Sequence, residues 1–297
     1  MSYRGRFAPT PSGPLHFGSI VAASGGYLEA RTRNGEWHLR VDDLDPPRVV
    51  PGATEDIVRC LQAFGFRWDG EIVKQSTRGQ AYRHAFERLL REGMAYPCAC
   101  SRKEIAEHAV MGAEGPLYPG TCRSGMPPGA SARAWRMRTD GVQVEFEDRV
   151  LGLQRRDLER ESGDFVLLRA DGVWAFHLAS AVDDAEMGMT DIVRGADLLE
   201  SSARQIHVLR ALGEAVPTYA HLPVARNAAG EKLSKQTKAP AADSTRASEV
   251  LVEALRFLGQ PVPGELSRAD ISAVWAWALD NWDLRRVRRE VTRLRAG

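Results

Sequence analysis

One stretch restricts the architecture before any other feature is weighed. In RFAPTPSGPLHFGS, residues 6–19, prolines withdraw backbone donors and glycines open φ, so neither a helix nor a sheet strand runs through it. It separates two regular elements. YRGRFAP before it reads as a strand, and GSIVAASGGYLEARTRNG after it carries small and apolar residues at helical spacing up to a stop at Gly35. EWHLRVDD then alternates, with Trp37, Leu39 and Val41 on one face and His38, Arg40 and Asp42 on the other. Strand, glycine-rich turn, helix and strand make a βαβ unit, so the expected fold class is α/β with a doubly wound, Rossmann-type parallel sheet. Such a turn suits an anion, because glycine admits close approach and the helix N-terminus offers unpaired N–H groups and a positive dipole end. His16 within it is either part of that site or an ordinary surface or packing histidine.

Two more amphipathic helices follow. TEDIVRCLQAFG would bury Ile57, Val58, Leu61 and Phe64, and TRGQAYRHAFERLLREG would bury Tyr82, Phe86, Leu89 and Leu90. Residues 1–94 thus read as the first half of the Rossmann domain. From 95 to 165 turns and short strands replace the helical pattern (YPCACSRKE, GPLYPGTCRSGMPPGAS, VQVEFED), which reads as an inserted subdomain. FVLLRADGVWAFHLA has two apolar runs around Asp171 and Gly172, a hairpin signal, and SSARQIHVLRALG is an amphipathic helix. Residues 166–240 are therefore expected to complete the domain and 241–297 to form a short helical C-terminal region. The final run LRRVRREVTRLR puts Leu284, Val287, Val291 and Leu294 on one helical stripe with arginines around it, either a solvated helix or a face for nucleic-acid phosphates.

Charge and cysteine usage narrow the function classes. Lys plus Arg (40) nearly cancels Asp plus Glu (39), so a polyanionic partner must meet a local basic patch and not a global field. No apolar run approaches the ~18 residues of a membrane span and the N-terminus lacks a signal-like core, so no membrane partner and a cytoplasmic location are expected. In a reducing compartment the cysteines at 60, 98, 100 and 122 suit metal binding or burial better than disulfides. Cys60 lies on the apolar side of a helix and suits packing. Cys98, Cys100 and Cys122 fall in a turn-rich stretch with little core of its own, one ligand short of a tetrahedral zinc site, with His108 the chemically usual fourth; the alternative is three small buried hydrophobes. Far along the chain, EKLSKQ places Lys232 and Lys235 three residues apart in a polar loop, either solvated or closing on a triphosphate.

Four stretches together carry a resemblance. HFGS (16–19) looks like the HIGH-type motif and KLSKQ (232–236) like the KMSKS-type motif of class I aminoacyl-tRNA synthetases. GRFAPTPSGPLHFGS, HLRVDDLDPPR, DIVRGADLL and KLSKQ occur in the order and approximate spacing of the glutamyl branch of that family, along almost the whole catalytic domain. The resemblance implies activation of L-glutamate by ATP with Mg²⁺, with His16 and Lys235 as catalytic groups and Pro9, His16, Gly18, Ser19, Lys232 and Lys235 around the nucleotide. It maps the glutamate pocket onto Arg6, Phe7, Ala8, Pro9, Thr10, Asp42, Phe176, Ser180 and Arg194. There Arg6 and Arg194 would pair with carboxylate in fork geometry and Asp42 would hold the ammonium. It also supplies Tyr118 as fourth ligand of a structural Zn²⁺ beside Cys98, Cys100 and Cys122. Two positions depart from the family pattern: Asp42 stands where Glu is common and Phe176 where Tyr is common, which implies weaker glutamate binding more than a changed substrate. About sixty residues follow the KMSKS-type loop, where full-length glutamyl-tRNA synthetases carry a large anticodon-binding region. The resemblance is therefore to the branch that attaches glutamate to the queuosine base in the anticodon of tRNA(Asp), expected as a monomer; a truncated enzyme charging a tRNA 3′ end and a non-catalytic tRNA-binding relic are the alternatives.

Overall fold

A computed structural model describes residues 2–112, 115–226 and 240–289 of the chain. Strand β1 (Arg4–Phe7) pairs in parallel with β2 (Glu36–Val41), and β2 with β3 (Val73–Lys74). Helix α1 (Phe17–Arg31) makes the first crossover, and α2 (Ala53–Ala63) and α3 (Gly79–Arg91) follow with Ile57, Leu61, Tyr82, Phe86 and Leu89 buried as their spacing requires. The alternating strand is β2, but its second face is not solvated: His38, Arg40 and Asp42 are buried along with Trp37, Leu39 and Val41. A central parallel strand is covered on both faces, so its polar residues become interior groups that must find partners.

The other strands of three or more residues are β4 (Ala95–Cys98), β5 (Ala134–Met137), β6 (Gln143–Asp148), β7 (Gly152–Asp157), β8 (Val166–Leu168), β9 (Asp191–Gly195) and β10 (Thr218–Leu222). Strands β9 and β10 pair in parallel, with α4 (Phe176–Glu186) before them and α5 (Leu199–Ala211) between them. Thr190 joins the halves, because its N–H donates to Arg4 O at 2.9 Å and its hydroxyl accepts from Arg4 N–H at 2.8 Å. The parallel strands thus run in the order β3, β2, β1, β9, β10, reversing between β1 and β9. Gly25 lets α1 lie close on this surface, since a Cβ there would stand 2.5 Å from Leu222 Cδ1.

Residues 95–165 do not behave as one unit. Strands β4, β5 and β8 form a small antiparallel sheet, whereas the β6–β7 hairpin joins the edge of the parallel sheet through Tyr219 and Asp148. After β8 the chain turns at Gly172 (φ +79°) and Leu168 bridges Trp174, but the second apolar run then enters α4 and forms no partner strand.

Helices α6 (Ala247–Phe257) and α7 (Ile271–Asn281) belong to the core of the first half. Trp275 packs edge-on against Tyr27 and Phe66, and its Nε1–H donates to Phe64 O at 2.8 Å. The expected terminal helix is not formed over the described residues. Gln260 clamps Asp283 through both backbone groups, a 3₁₀ turn covers Leu284–Arg286, and Val287 leaves in extended conformation, buried. Val291 and Leu294 lie outside the described residues. No helix among the described residues is long and apolar enough to cross a membrane.

Candidate functional site

The carboxyl ends of β1, β2, β9 and β10 open on a cavity of about 1130 Å³, at the point where the strand order reverses. Loops leaving adjacent strands in opposite directions create such a crevice in any doubly wound sheet. Its lining includes Arg6, Phe7, Ala8, Pro9, Thr10, His16, Gly18, Ser19, Asp42, Phe176, Ser180 and Arg194, every described residue singled out for the nucleotide and the amino acid. Lys232 and Lys235 lie outside the described residues.

His16 is the N-cap of α1, with its backbone N–H 3.4 Å from Ser19 Oγ. Gly18 keeps the turn open, because a Cβ there would stand 3.1 Å from His16 Cε1 and 3.2 Å from Nδ1. The N-terminal N–H groups of α1 therefore face the cavity beside the histidine, an arrangement suited to phosphate oxygens.

At the inner end, charges pair before any ligand arrives. Arg6 gives Nε and Nη2 to the two carboxylate oxygens of Asp184, at 3.0 and 3.1 Å. Arg40 bridges Asp42 (2.7 Å) and Asp184 (2.6 Å). Asp183 behind them accepts from Gln75, Arg78 and Tyr82. Although burial opposes ionisation, Arg6 and Arg40 hold Asp184 at about 2. At Asp42 burial wins over Arg40 and pushes the carboxyl up. Arg6 thus turns Nε and one Nη2 proton to Asp184, so a ligand in the cavity would meet Nη1 and the second Nη2 proton. Arg40 and Asp184 were not among the expected site residues. The one signal for them was charge on a strand that a parallel sheet covers on both faces, and the Asp183–Asp184 doublet in a helix of mainly small and apolar residues.

Arg194 differs from both. Its Nε faces His221 Nε2 at 3.3 Å, and Nη2 donates to Ser202 Oγ and Gln205 Oε1, each at 2.8 Å. All of these partners are neutral, and among the described residues no carboxylate comes within ion-pair distance. Burial lowers Arg194 to about 10, against the opposing pull of Asp184 and Asp197. Arg6 with Asp184 and Arg40 with Asp42 form close ion pairs, whereas Arg194 is hydrogen-bonded to neutral groups and feels Asp184 and Asp197 only at longer range. His177 adds no charge, because burial beside Arg204 and Arg194 pushes it down to about 3. Ser180 Oγ is buried, lines the cavity and has no hydrogen-bond partner among the described residues. Phe176 stands at the start of α4 with 38 % of its surface exposed.

The three thiols of the inserted stretch converge. The Sγ atoms of Cys98, Cys100 and Cys122 all lie within 4.8 Å of one another, and Cys100 and Cys122 are 3.6 Å apart, far beyond a disulfide. Tetrahedral Zn–S bonds of about 2.3 Å separate sulfurs by about 3.8 Å, so the donor set fits zinc. The hydroxyl of Tyr118 lies 3.4 Å from Cys98 Sγ and 3.8 Å from Cys100 Sγ, while His108 sits exposed on a short helix, Arg102–His108, outside the cluster. Arg136 stacks 3.8 Å over the Tyr118 ring and donates to Asp164 O, tying the cluster to β5. Burial pushes the Cys60 thiol up to about 11, consistent with packing.

Comparison with known proteins agrees with this geometry. The family described as "tRNA synthetases class I (E and Q), catalytic domain" matches residues 2–267. A protein of Chromobacterium violaceum named glutamyl-Q tRNA(Asp) synthetase is 59% identical over 96% of this chain and 95% of its own. One of the same name from Dechloromonas aromatica is 57% identical over 97% and 96%. The crystal structure of a glutamate tRNA ligase from Elizabethkingia meningosepticum, in complex with its amino acid, shares the fold with a TM-score of 0.81, at 23% identity over 99% of this chain and 67% of that one.

Proposed function

Because the chain belongs to the class I tRNA synthetases of the E and Q type, in the branch of relatives named glutamyl-Q tRNA(Asp) synthetase, we propose that it activates L-glutamate with ATP and transfers the glutamyl group to the queuosine base at the wobble position of tRNA(Asp). One observation carries the first step: among the described residues Arg194 is hydrogen-bonded to neutral groups only, in a cavity whose other buried arginines are already paired with carboxylates. A carboxylate of glutamate supplies that guanidinium with an anionic partner, whereas the side-chain amide of glutamine does not.

Arg194 Nη1 and Arg6 Nη1 take carboxylate oxygens, Asp42 takes the ammonium, and the Ser180 hydroxyl supplies one more polar contact. Asp42 remains bound to Arg40, so its grip on the ammonium is shared, in keeping with a carboxylate shorter than the family's usual Glu. The α-carboxylate then attacks the α-phosphorus of ATP in line and pyrophosphate leaves. His16, the N-terminus of α1 and Lys235 stabilise the charge that builds on the phosphate oxygens, with Lys232 a lesser contributor. Mg²⁺ accompanies the nucleotide. A queuosine hydroxyl attacks the mixed anhydride at its carbonyl, loses its proton and displaces AMP. Cys98, Cys100, Cys122 and Tyr118 hold a structural Zn²⁺ outside these steps.

The queuosine step is supported by the names of relatives that match nearly end to end. Labelled glutamate and ATP, offered with separate tRNA pools, test it. Label is expected in queuosine-containing tRNA(Asp), with or without its 3′-terminal adenosine, and not in tRNA from cells unable to make queuosine. Glutamate found esterified to the 3′ end of tRNA(Glu) would overturn the reading.

A further inference from the structure

Arg194 is held by a relay that begins at the edge of the sheet. Asp148 closes β6, and its buried carboxylate accepts from the N–H groups of Val150 (3.0 Å), Leu151 (2.8 Å) and His221 (3.1 Å) and from His221 Nδ1 (2.6 Å). That many donors hold the carboxylate ionised, so the ring nitrogen facing it carries the proton. The other nitrogen, Nε2, faces Arg194 Nε at 3.3 Å and Ser202 Oγ at 2.9 Å. A guanidinium has no lone pair to offer, so the nitrogen opposite it must be bare. Both contacts independently require the same neutral Nδ1–H tautomer. Ser202 completes the arrangement: its oxygen accepts from Arg194 Nη2, leaving its own proton for His221 Nε2 or for Leu198 O at 3.3 Å.

We propose that Asp148 and His221 are positioning residues that fix Arg194, the Asp148 carboxylate selecting the His221 tautomer whose Nε2 lone pair receives the Arg194 Nε–H. With Nε and Nη2 bound, the guanidinium cannot rotate, and Nη1 is the donor left for a substrate carboxylate. The assignment of Nη1 to a substrate carboxylate rests on the glutamate activation proposed above. The relay explains why a hairpin from the inserted stretch joins the edge of the catalytic sheet. Asp148 is the residue at which β6 pairs with β10, and it acts on the side chain two residues beyond its partner Tyr219.

The test uses full-length protein with its metal. In wild type, ¹⁵N NMR at neutral pH is expected to find His221 protonated at Nδ1 and bare at Nε2, and the Arg194 Nε–H protected from exchange with water. Asp148→Asn is expected to lose that protection. In glutamate-dependent exchange of pyrophosphate into ATP it should raise the KM for glutamate about 10- to 100-fold, as loss of an outer orienting partner does elsewhere, with kcat and the KM for ATP little changed. If Asp148→Asn does not fold, His221→Gln, whose amide oxygen can take the Arg194 proton, should keep a glutamate KM nearer wild type than His221→Leu. A His221 ring bare at Nδ1 or doubly protonated at neutral pH, or an unprotected Arg194 Nε–H in wild type, overturns the proposal, as does a folded Asp148→Asn with unchanged KM. Wild type that exchanges pyrophosphate with another amino acid and not with glutamate would overturn the glutamate reading instead, while the NMR result still decides the relay.

Discussion

His16 and Ala241 pair across an antiparallel bridge, and beside it the Ala242 N–H donates to Leu15 O at 2.8 Å. The residue that follows the KMSKS-type loop is therefore fastened to the HIGH-type turn, while Ala225, before the loop, lines the same cavity. Both ends of the segment carrying Lys235 are thus held at the place proposed for the triphosphate. Lys235→Ala is expected to slow glutamate-dependent pyrophosphate exchange by at least ~100-fold, the scale for losing one donor to transition-state charge. Glutamate affinity, measured by calorimetry, should hardly move. Exchange at the wild-type rate would remove Lys235 from the mechanism.

Zinc is expected at one equivalent per chain. Cys100 is the ligand to remove first, because its sulfur lies 3.6 Å from that of Cys122 and is less buried than its neighbours. Elemental analysis of protein purified without chelator should give close to one zinc for wild type and much less for Cys100→Ser. Chelation should lower the melting temperature of wild type, since the Tyr96, Cys98, Tyr118 and Cys122 cluster has few other apolar contacts to hold it. His108→Ala should leave the zinc content unchanged.

Asp184 is the shared counter-ion of Arg6 and Arg40, so Asp184→Asn leaves the buried Arg6 guanidinium without its carboxylate and Arg40 with Asp42 and Asp183. The expected loss is about 3 to 5 kcal/mol of stability in denaturant unfolding at neutral pH. The sign of its pH dependence follows from its folded value of about 2, below the ordinary carboxylate value of about 3.9. Its contribution is full above that ordinary value and is lost as pH falls toward 2. The stability gap between wild type and Asp184→Asn should therefore narrow only below about pH 4. A gap that closes at neutral pH would show that Arg6 and Arg40 do not depend on this carboxylate.

Period and punctuation made the first half of the molecule legible from sequence alone. Alternation over 36–42, helical spacing after the proline–glycine turn and the stop at Gly35 are local properties, set by φ/ψ preferences and by the need of one face to be buried. The thiol spacing was legible for the same reason, as were the motifs that lie within single turns. What the tertiary structure decided was which distant groups meet. Arg6 reads as a free fork for a substrate until α4 delivers Asp184 to it, and nothing near Arg40 in sequence announces that carboxylate. The β6–β7 hairpin reads as part of an insertion until Asp148 is seen to hold His221. Helices α6 and α7 read as an appendage until Trp275 closes the core against Tyr27 and Phe66. Tyr118 displaces His108 beside the thiols because the turns between them bring its hydroxyl inward. Buried ion pairs and tautomers depend on desolvation and on approach to within about 3 Å, and both exist only after the chain has closed on itself.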